Sequence, residues 1–381
     1  MLEVFGLSNT QLGDIFAVYG VVALLAYFPG GAIADRYSAR ALMTLSLVAT
    51  ALGGFYLATL PPPPMLYLLF AYWGLTSILL FWAALIKATR DWGGQHTQGL
   101  AFGVLDGGRG LVASVLATLA MMLLGARLLN TGSDPQGLVA VVLFYSVITL
   151  FTAAVLWCTL PTPRIGPVGS PAAIQSSWRR VITEPSVWLQ AGVVICAYCG
   201  YKSLDNYGIY AVEVLDMTHL ESAALNAYAS YARPVAAIAA GIWADRWRSS
   251  GVVTVAFLCA AAAYSWLGLD VASALPRTFL LANILITFCA VYALRGIYFS
   301  LLEEAGLERG ITGRAVGLIS VLGFTPDIFF AAVTGRILDA NPGATGFQHY
   351  FLLIALICTM GMLCTLALPR QLARHTKRCA G

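Results

Sequence analysis

Long apolar runs alternate with short polar breaks from one end of this sequence to the other. The runs cover about residues 12–34, 41–60, 65–87, 100–126, 138–160, 186–212, 222–244, 251–269, 278–301, 314–338 and 348–368, eleven in all. Each is long enough, at about 1.5 Å of helical rise per residue, to cross a hydrocarbon layer of roughly 30 Å. They are continuously apolar and do not alternate with period two over about ten residues. They therefore predict membrane-spanning helices, not the strands of a barrel. The longest polar stretch is 161–184, PTPRIGPVGSPAAIQSSWRRVITE, whose Pro, Gly and Ser content predicts a linker. It separates a front bundle over 1–160, with five spans, from a rear bundle over 185–381, with six spans and a short tail.

Composition supports a life in lipid. Of the 381 residues 59% are hydrophobic and 10% are charged, and the mean hydropathy is +0.78, whereas about a quarter of a soluble domain is charged. Basic residues orient the spans. With the loop at 35–40 inside, one side holds Arg36, Arg40, Lys87, Arg90, Arg164, Arg179, Arg180, Arg246, Arg248, Arg309, Arg314, Arg370, Arg374, Lys377 and Arg378. The other holds only Arg127, Arg277 and Arg336, so the fifteen-residue side is predicted to be cytoplasmic, with the C-terminus on it.

An odd number of spans then leaves Met1 outside. LEVFGLSNTQLG reads as an external loop entering a helix, with Ser8 or Thr10 as N-cap candidates, and it lacks the basic start and apolar core of a cleaved signal. Either a first helix has been lost from the front or the chain has eleven spans of its own.

Cysteine and histidine suggest no metal, cofactor or disulfide framework. Cys158, Cys196, Cys199, Cys259, Cys289, Cys358 and Cys364 lie in or at the ends of spans, and Cys379 is in the tail. The CxxC pair Cys196 and Cys199 is mid-helix with no nearby His, so it reads as packing. His96, His219, His349 and His375 are assigned to loops or tails, which excludes a histidine relay inside the membrane.

Two short stretches repeat across the linker. GAIADR at 31–36 returns as GIWADR at 241–246, an offset of 210, and QGLAFG at 98–103 returns as TGRAVG at 312–317, an offset of 214. Two collinear matches at nearly one offset point to parallel duplicated halves. The chain resembles the major facilitator superfamily of secondary transporters. That family's loop signature is Gly, three residues, Asp-Arg, one residue, Gly and two basic residues. Gly31, Asp35, Arg36 and Arg40 match it, while Ser38 stands for the second glycine and Ala39 for one basic residue. The rear copy keeps Gly241, Asp245 and Arg246. The resemblance implies an all-α polytopic fold of two pseudo-symmetric bundles, with twelve helices in the family and about eleven here.

Elementary chemistry gives the loop a role. A small residue at Gly31 lets another helix come close, and Asp35 can accept from Arg36, from Arg40, or from the exposed N–H groups that start a neighbouring helix. The resemblance implies a gating contact that holds the outward-open state and breaks during transport. Gly99, Gly103 and Gly107, spaced by four, form a small-residue seam.

Charges within spans cost on the order of 3 kcal/mol each on insertion scales and usually face the bundle interior. The basic ones are Arg109, Lys202, Arg233 and Arg295, and the acidic ones are Asp106, Asp205 and Asp327, with Asp14 and Glu213 at span ends. Asn226, Ser230 and Arg233 recur at helical spacing, beside Tyr228 and Tyr231 and just before Pro234. Tyr198, Lys202, Asp205 and Asn206 share a face, where Lys202 and Asp205 can neutralise one another, as can Asp106 and Arg109. Arg233, Arg295 and Asp327 lack such a local partner. Asp327 is either a proton carrier or the fixed partner of Arg295.

The excess of one basic charge favours an anionic solute such as a carboxylate or phosphate ester, bound by Arg233, Arg295, Lys202, Asn206, Tyr198, Tyr231 and Arg109. Asp327, Asp205 and Asp106 are the candidates for proton or charge coupling. The expected function is secondary active transport by alternating access, driven by a proton or by exchange, because no GxxxxGK[ST] loop is present to use ATP. The alternatives are proton-coupled movement of a neutral or cationic compound, including drug efflux, and a sensor that binds without transporting. No nucleophile and base pair points to an enzyme. The expected setting is a bacterial inner membrane, with a monomer in contact with a solute and lipid and with no nucleic acid.

Overall fold

The computed structural model describes residues 2–7, 9–131, 134–161, 178–269, 277–307 and 309–379. Its first helices are α1 (Leu2–Phe5), α2 (Asn9–Arg36), α3 (Ala39–Leu57), α4 (Pro63–Leu79), α5 (Trp82–Gly93), α6 (Gln98–Thr131), α7 (Asp134–Thr159) and α8 (178–183). Then come α9 (Pro185–Ser203), α10 (Tyr207–Glu213), α11 (His219–Ser230), α12 (Ala232–Trp247), α13 (Ser249–Gly268) and α14 (Arg277–Ile297). The last are α15 (Leu301–Glu304), α16 (Thr312–Gly323), α17 (Pro326–Ala340) and α18 (Ala344–Cys379). Among the described residues nine helical segments are long and apolar enough to span a membrane. The predicted spans 186–212 and 222–244 are present as helix pairs, α9 with α10 and α11 with α12, interrupted at Leu204–Asn206 and at Tyr231.

Residues 1–88, 112–181 and 308–321 cluster as one unit. In it α2 packs on α4, and α3 packs on α7. Pro63 and Pro64 open α4, where the absent N–H would have had no helical partner. Residues 2–5 were expected in a loop and instead form α1. Phe5 and Leu7 enter a core with Ile15, Leu57, Leu66, Leu69 and Phe70. The reason is tertiary: these apolar side chains gain a buried surface only once α2, α3 and α4 have come together. Ser8 lies outside the described residues, and Thr10 is inside α2. Most of the predicted linker, 162–177, also lies outside them, and its end forms α8, whose Trp178 stacks on Phe28 at 4.2 Å.

Residues 89–111, 182–307 and 322–381 form the second unit. Here α13 packs on α18 and α14, α12 on α14, and α9 on α18. α18 continues through 369–379, beyond the predicted end of the last span. His219 begins α11 and His349 sits in the second turn of α18, so these two are at helix ends, not in loops.

Four interior charges of this unit lie beside helix interruptions, whereas Asp106 and Arg109 sit within the unbroken α6. Lys202 precedes the 3₁₀ turn Leu204–Asn206, and Arg295 precedes the 3₁₀ turn Tyr298–Ser300. Arg233 follows the break at Tyr231, and Asp327 follows the break between α16 and α17. Pro234 and Pro326 explain two of these, because proline withholds the N–H that would bond four residues back. At the first turn, buried hydroxyls take over freed backbone groups. The Tyr350 hydroxyl donates to the Ser203 carbonyl at 2.9 Å and accepts from Asn206 Nδ2 at 3.1 Å, while Ser203 Oγ and the Tyr264 hydroxyl are 2.5 Å apart. Tyr350→Phe is therefore expected to cost about 1–3 kcal/mol by leaving buried groups unpaired. A thermal unfolding midpoint equal to wild type would show that this network does not hold the turn.

Candidate functional site

Four charged side chains converge in the second unit from α6, α12 and α14. Arg233 grips Asp106 with both arms of its fork, Nε 3.1 Å from Oδ2 and Nη2 2.8 Å from Oδ1. Gly110 makes room for the Arg233 stem, which a Cβ there would strike. Arg295 approaches the same carboxylate less closely, with Nε 3.4 Å from Oδ1. Its Nε and Nη1 are buried and have no hydrogen-bond partner. Arg109, one turn along α6 from Asp106, is more exposed and acts electrostatically on Asp106, Arg233 and Arg295.

The side chains of Asp106, Arg233 and Arg295 are 7%, 18% and 13% exposed, so this trio carries one unneutralised positive charge largely out of water. Aromatic faces line it. The Arg295 guanidinium lies 3.8 Å from the Tyr201 ring centroid and 5.6 Å from that of Tyr198, and Arg233 is 5.9 Å from Tyr201 and from Tyr292. Such stacking favours a desolvated cation by about 1–2 kcal/mol.

Tyr198 links this cluster to a second one. Its hydroxyl donates to both Asp327 oxygens, at 3.1 and 3.0 Å. Lys202 Nζ lies 3.6 Å from Asp327 and 3.4 Å from Asp205. Asp327 thus pairs with Lys202 and Tyr198, while the carboxylate beside Arg295 is Asp106. Lys202, Asp205, Asn206, Glu213, Thr334 and Asp339 border a cavity of about 460 Å³. Of the other predicted solute contacts, Asn206 is engaged with Tyr350, and Tyr231 is exposed at the junction of α11 and α12. Ser230, on the predicted polar stripe, bonds back to the Asn226 carbonyl at 2.8 Å.

The repeated stretches turn out to be the two sides of one kind of contact. In the first unit Asp35 caps the start of α16: Gly313 N–H donates to Oδ1 at 2.7 Å, and Arg314 donates to Oδ2 from its N–H at 3.1 Å and from Nη1 at 2.8 Å. In the second unit Asp245 caps the start of α6, accepting from Gly99 N–H at 2.6 Å and Leu100 N–H at 2.8 Å. Each carboxylate meets the positive end of a helix dipole. The glycines permit the approach, because a Cβ on Gly31 would run into the Gly313 carbonyl and one on Gly241 into the Gly99 carbonyl. The seam residues Gly103 and Gly107 likewise lie against Ala237 and Pro234.

Arg36 and Arg40 were candidate partners of Asp35, and that part of the expectation is replaced by the helix end. Arg40 instead stacks on Trp157, 4.4 Å from the ring centroid, and Arg246 is exposed. Ser38, which departs from the family signature, has φ −67° and caps α3 by accepting from Ala41 N–H at 3.3 Å.

One residue of this region escaped the sequence reading. Arg90, counted only as a flanking charge, is 1% exposed and reaches Glu303 at 2.9 Å and the Leu302 and Leu307 carbonyls at 3.4 and 2.5 Å. It thereby satisfies the last carbonyls around α15, for which its position beside a polar loop carries no local signal.

Comparison with known proteins supports this architecture. The family model described as Major Facilitator Superfamily matches residues 1–324. Two proteins of Escherichia coli (strain K12) are related over most of their length. Inner membrane protein YihN is 27% identical over 391 residues, covering 99% of this chain and 90% of that protein. Inner membrane protein YqcE is 26% identical over 361 residues, covering 93% and 84%. The crystal structure of the transporter FucP in its outward conformation shares the fold with a TM-score of 0.76 at 16% identity, covering 95% of this chain and 91% of that one. Membrane-spanning helices, the repeated aspartate loops seated on helix ends and a family match over residues 1–324 lead to one conclusion: this multi-pass membrane protein belongs to the Major Facilitator Superfamily.

Proposed function

We propose that the chain is a secondary active transporter that carries a small organic anion by alternating access. The observation behind this reading is the buried trio of Arg233, Arg295 and Asp106, with one excess positive charge and two buried Arg295 nitrogens that lack a hydrogen bond, Nε being held only in a 3.4 Å ion pair with Asp106. Buried N–H groups without a partner are costly, so a ligand oxygen that accepts from them gains more than it would in water. A single carboxylate, sulfonate or phosphate oxygen pair meets both requirements. The halves 1–160 and 185–381 would rock about this site, joined by 161–184 and with the C-terminus in the cytoplasm. Asp35 and Asp245 would lock the cytoplasmic side, and the working form would be a monomer in a bacterial inner membrane.

The acidic cavity beside Lys202 favours a second reading, in which Asp327 takes a proton and the cargo is neutral or cationic. A thermal-shift screen of purified protein against carboxylates, phosphate esters, sulfonates, sugars and nucleosides separates the two. Anions are expected to stabilise the protein and neutral solutes to leave it unchanged. Stabilisation by neutral compounds alone, or transport that survives Arg233→Ala and Arg295→Ala but is lost with Asp327→Asn, would replace the anion reading with the second.

A further inference from the structure

We propose that Asp106 is a tethered stand-in for the solute's negative charge, holding the Arg233 fork while the carrier is empty and yielding it when an anion arrives. The inference rests on the anion reading above and goes beyond it by assigning an internal competitor to the site. Its basis is an asymmetry between two arginines that face one carboxylate. Arg233 has two well-formed hydrogen bonds to Asp106, at 3.1 and 2.8 Å. Arg295 has only a 3.4 Å approach to Oδ1, and its Nε and Nη1 remain unbonded. An incoming anion therefore meets donors without hydrogen bonds first on Arg295, whose guanidinium lies over the Tyr201 ring at 3.8 Å. Once seated there it brings a second negative charge beside Asp106, and repulsion between the two loosens the carboxylate from Arg233.

The device has a physical purpose. A guanidinium left buried without a counter-charge is heavily penalised, and breaking one side of a buried pair is far worse than keeping it. With Asp106 on its fork, Arg233 stays neutralised when no solute is present. The empty carrier then changes state with one buried guanidinium, that of Arg295, lacking a full counter-charge, where without Asp106 there would be two.

Two substitutions at this position are expected to act in opposite directions. Asp106→Asn removes the competitor, so anion affinity should rise by about tenfold or more, while the protein without anion becomes less heat-stable. Asp106→Glu keeps the charge on a longer arm that reaches toward the free donors of Arg295, so anion affinity should fall by about tenfold. The probes are lactate, succinate, glycerol phosphate and methanesulfonate, titrated against thermal stability of the full chain in detergent. In proteoliposomes, Asp106→Asn should still exchange internal for external probe, while net efflux into probe-free buffer falls at least about fivefold.

Equal or weaker binding by Asp106→Asn, or unchanged binding by Asp106→Glu, would overturn the proposal and leave the anion reading standing. If no probe binds the wild-type protein, both fall together. If Asp106→Asn does not fold, the sign of the Asp106→Glu change decides.

Discussion

Replacing Arg295 by lysine is expected to weaken binding of the transported anion by about tenfold to a hundredfold, and Arg295→Ala to abolish it. The range follows from the loss of one hydrogen bond to a charged acceptor, worth about 1.5–3 kcal/mol. Lysine keeps the positive charge, so a large effect of Arg295→Lys would belong to the planar fork and not to net charge. The Tyr201 face 3.8 Å away holds that plane, and an ammonium would not reproduce the two fixed donor directions of Nε and Nη1. Titration of thermal stability with the best-stabilising anion measures the effect. Wild-type affinity in Arg295→Lys would mean that the unbonded donors are not where the solute sits, and the site would have to be sought beside Lys202.

The second large effect is expected at the loop motif, and it should differ between its two copies. Asp35→Asn removes the counter-charge of Arg314, and the two side chains are only 2% and 6% exposed. Breaking a buried pair on one side costs about 3–5 kcal/mol. Asp245 holds two backbone N–H groups of α6, so Asp245→Asn loses the charge at a helix start, worth about 1–2 kcal/mol. Initial transport rates in proteoliposomes should therefore fall more than about tenfold for Asp35→Asn and only severalfold for Asp245→Asn. Solute affinity should survive in both, since neither residue belongs to the arginine cluster. Equal losses in the two variants would show that Arg314 adds nothing to the contact.

Much of the fold can be read from the sequence because lipid imposes a local rule: every backbone group must be satisfied within its own segment, so an apolar run of about 20 residues can only be a helix. The four-residue glycine spacings are equally local, since one helix turn sets them. The breaks were half legible. Pro234 and Pro326 mark two of them, whereas nothing in Leu204–Asn206 or Tyr298–Ser300 distinguishes those turns from the helices around them. The first depends on Tyr350 and the second on Gln190, whose Nε2 donates to the Tyr298 carbonyl at 3.2 Å, each partner more than a hundred residues away in the chain.

The candidate site was legible as a set of residue types and illegible as a set of pairs. Arg233, Arg295, Asp106 and Asp327 stand out because a charge within an apolar run is rare and costly, which is a property of sequence. Their partners come from other helices: Asp106 for Arg233, Tyr198 and Lys202 for Asp327. Helical spacing orders neighbours only three or four residues apart, so it could suggest Asp106 with Arg109 but not Asp106 with Arg233, 127 positions later.

The sequence by itself determined that this chain crosses the membrane many times, that two short stretches recur at nearly one offset, and which charged residues are worth watching. Tertiary structure alone decided that Asp35 and Asp245 seat on the two copies of the second repeated stretch, that Arg90 is buried, and that two Arg295 nitrogens lack a hydrogen bond. The reason is that helix formation in lipid is settled by neighbours along the chain, whereas the fate of a buried charge is settled by whichever distant helix brings it a counter-charge.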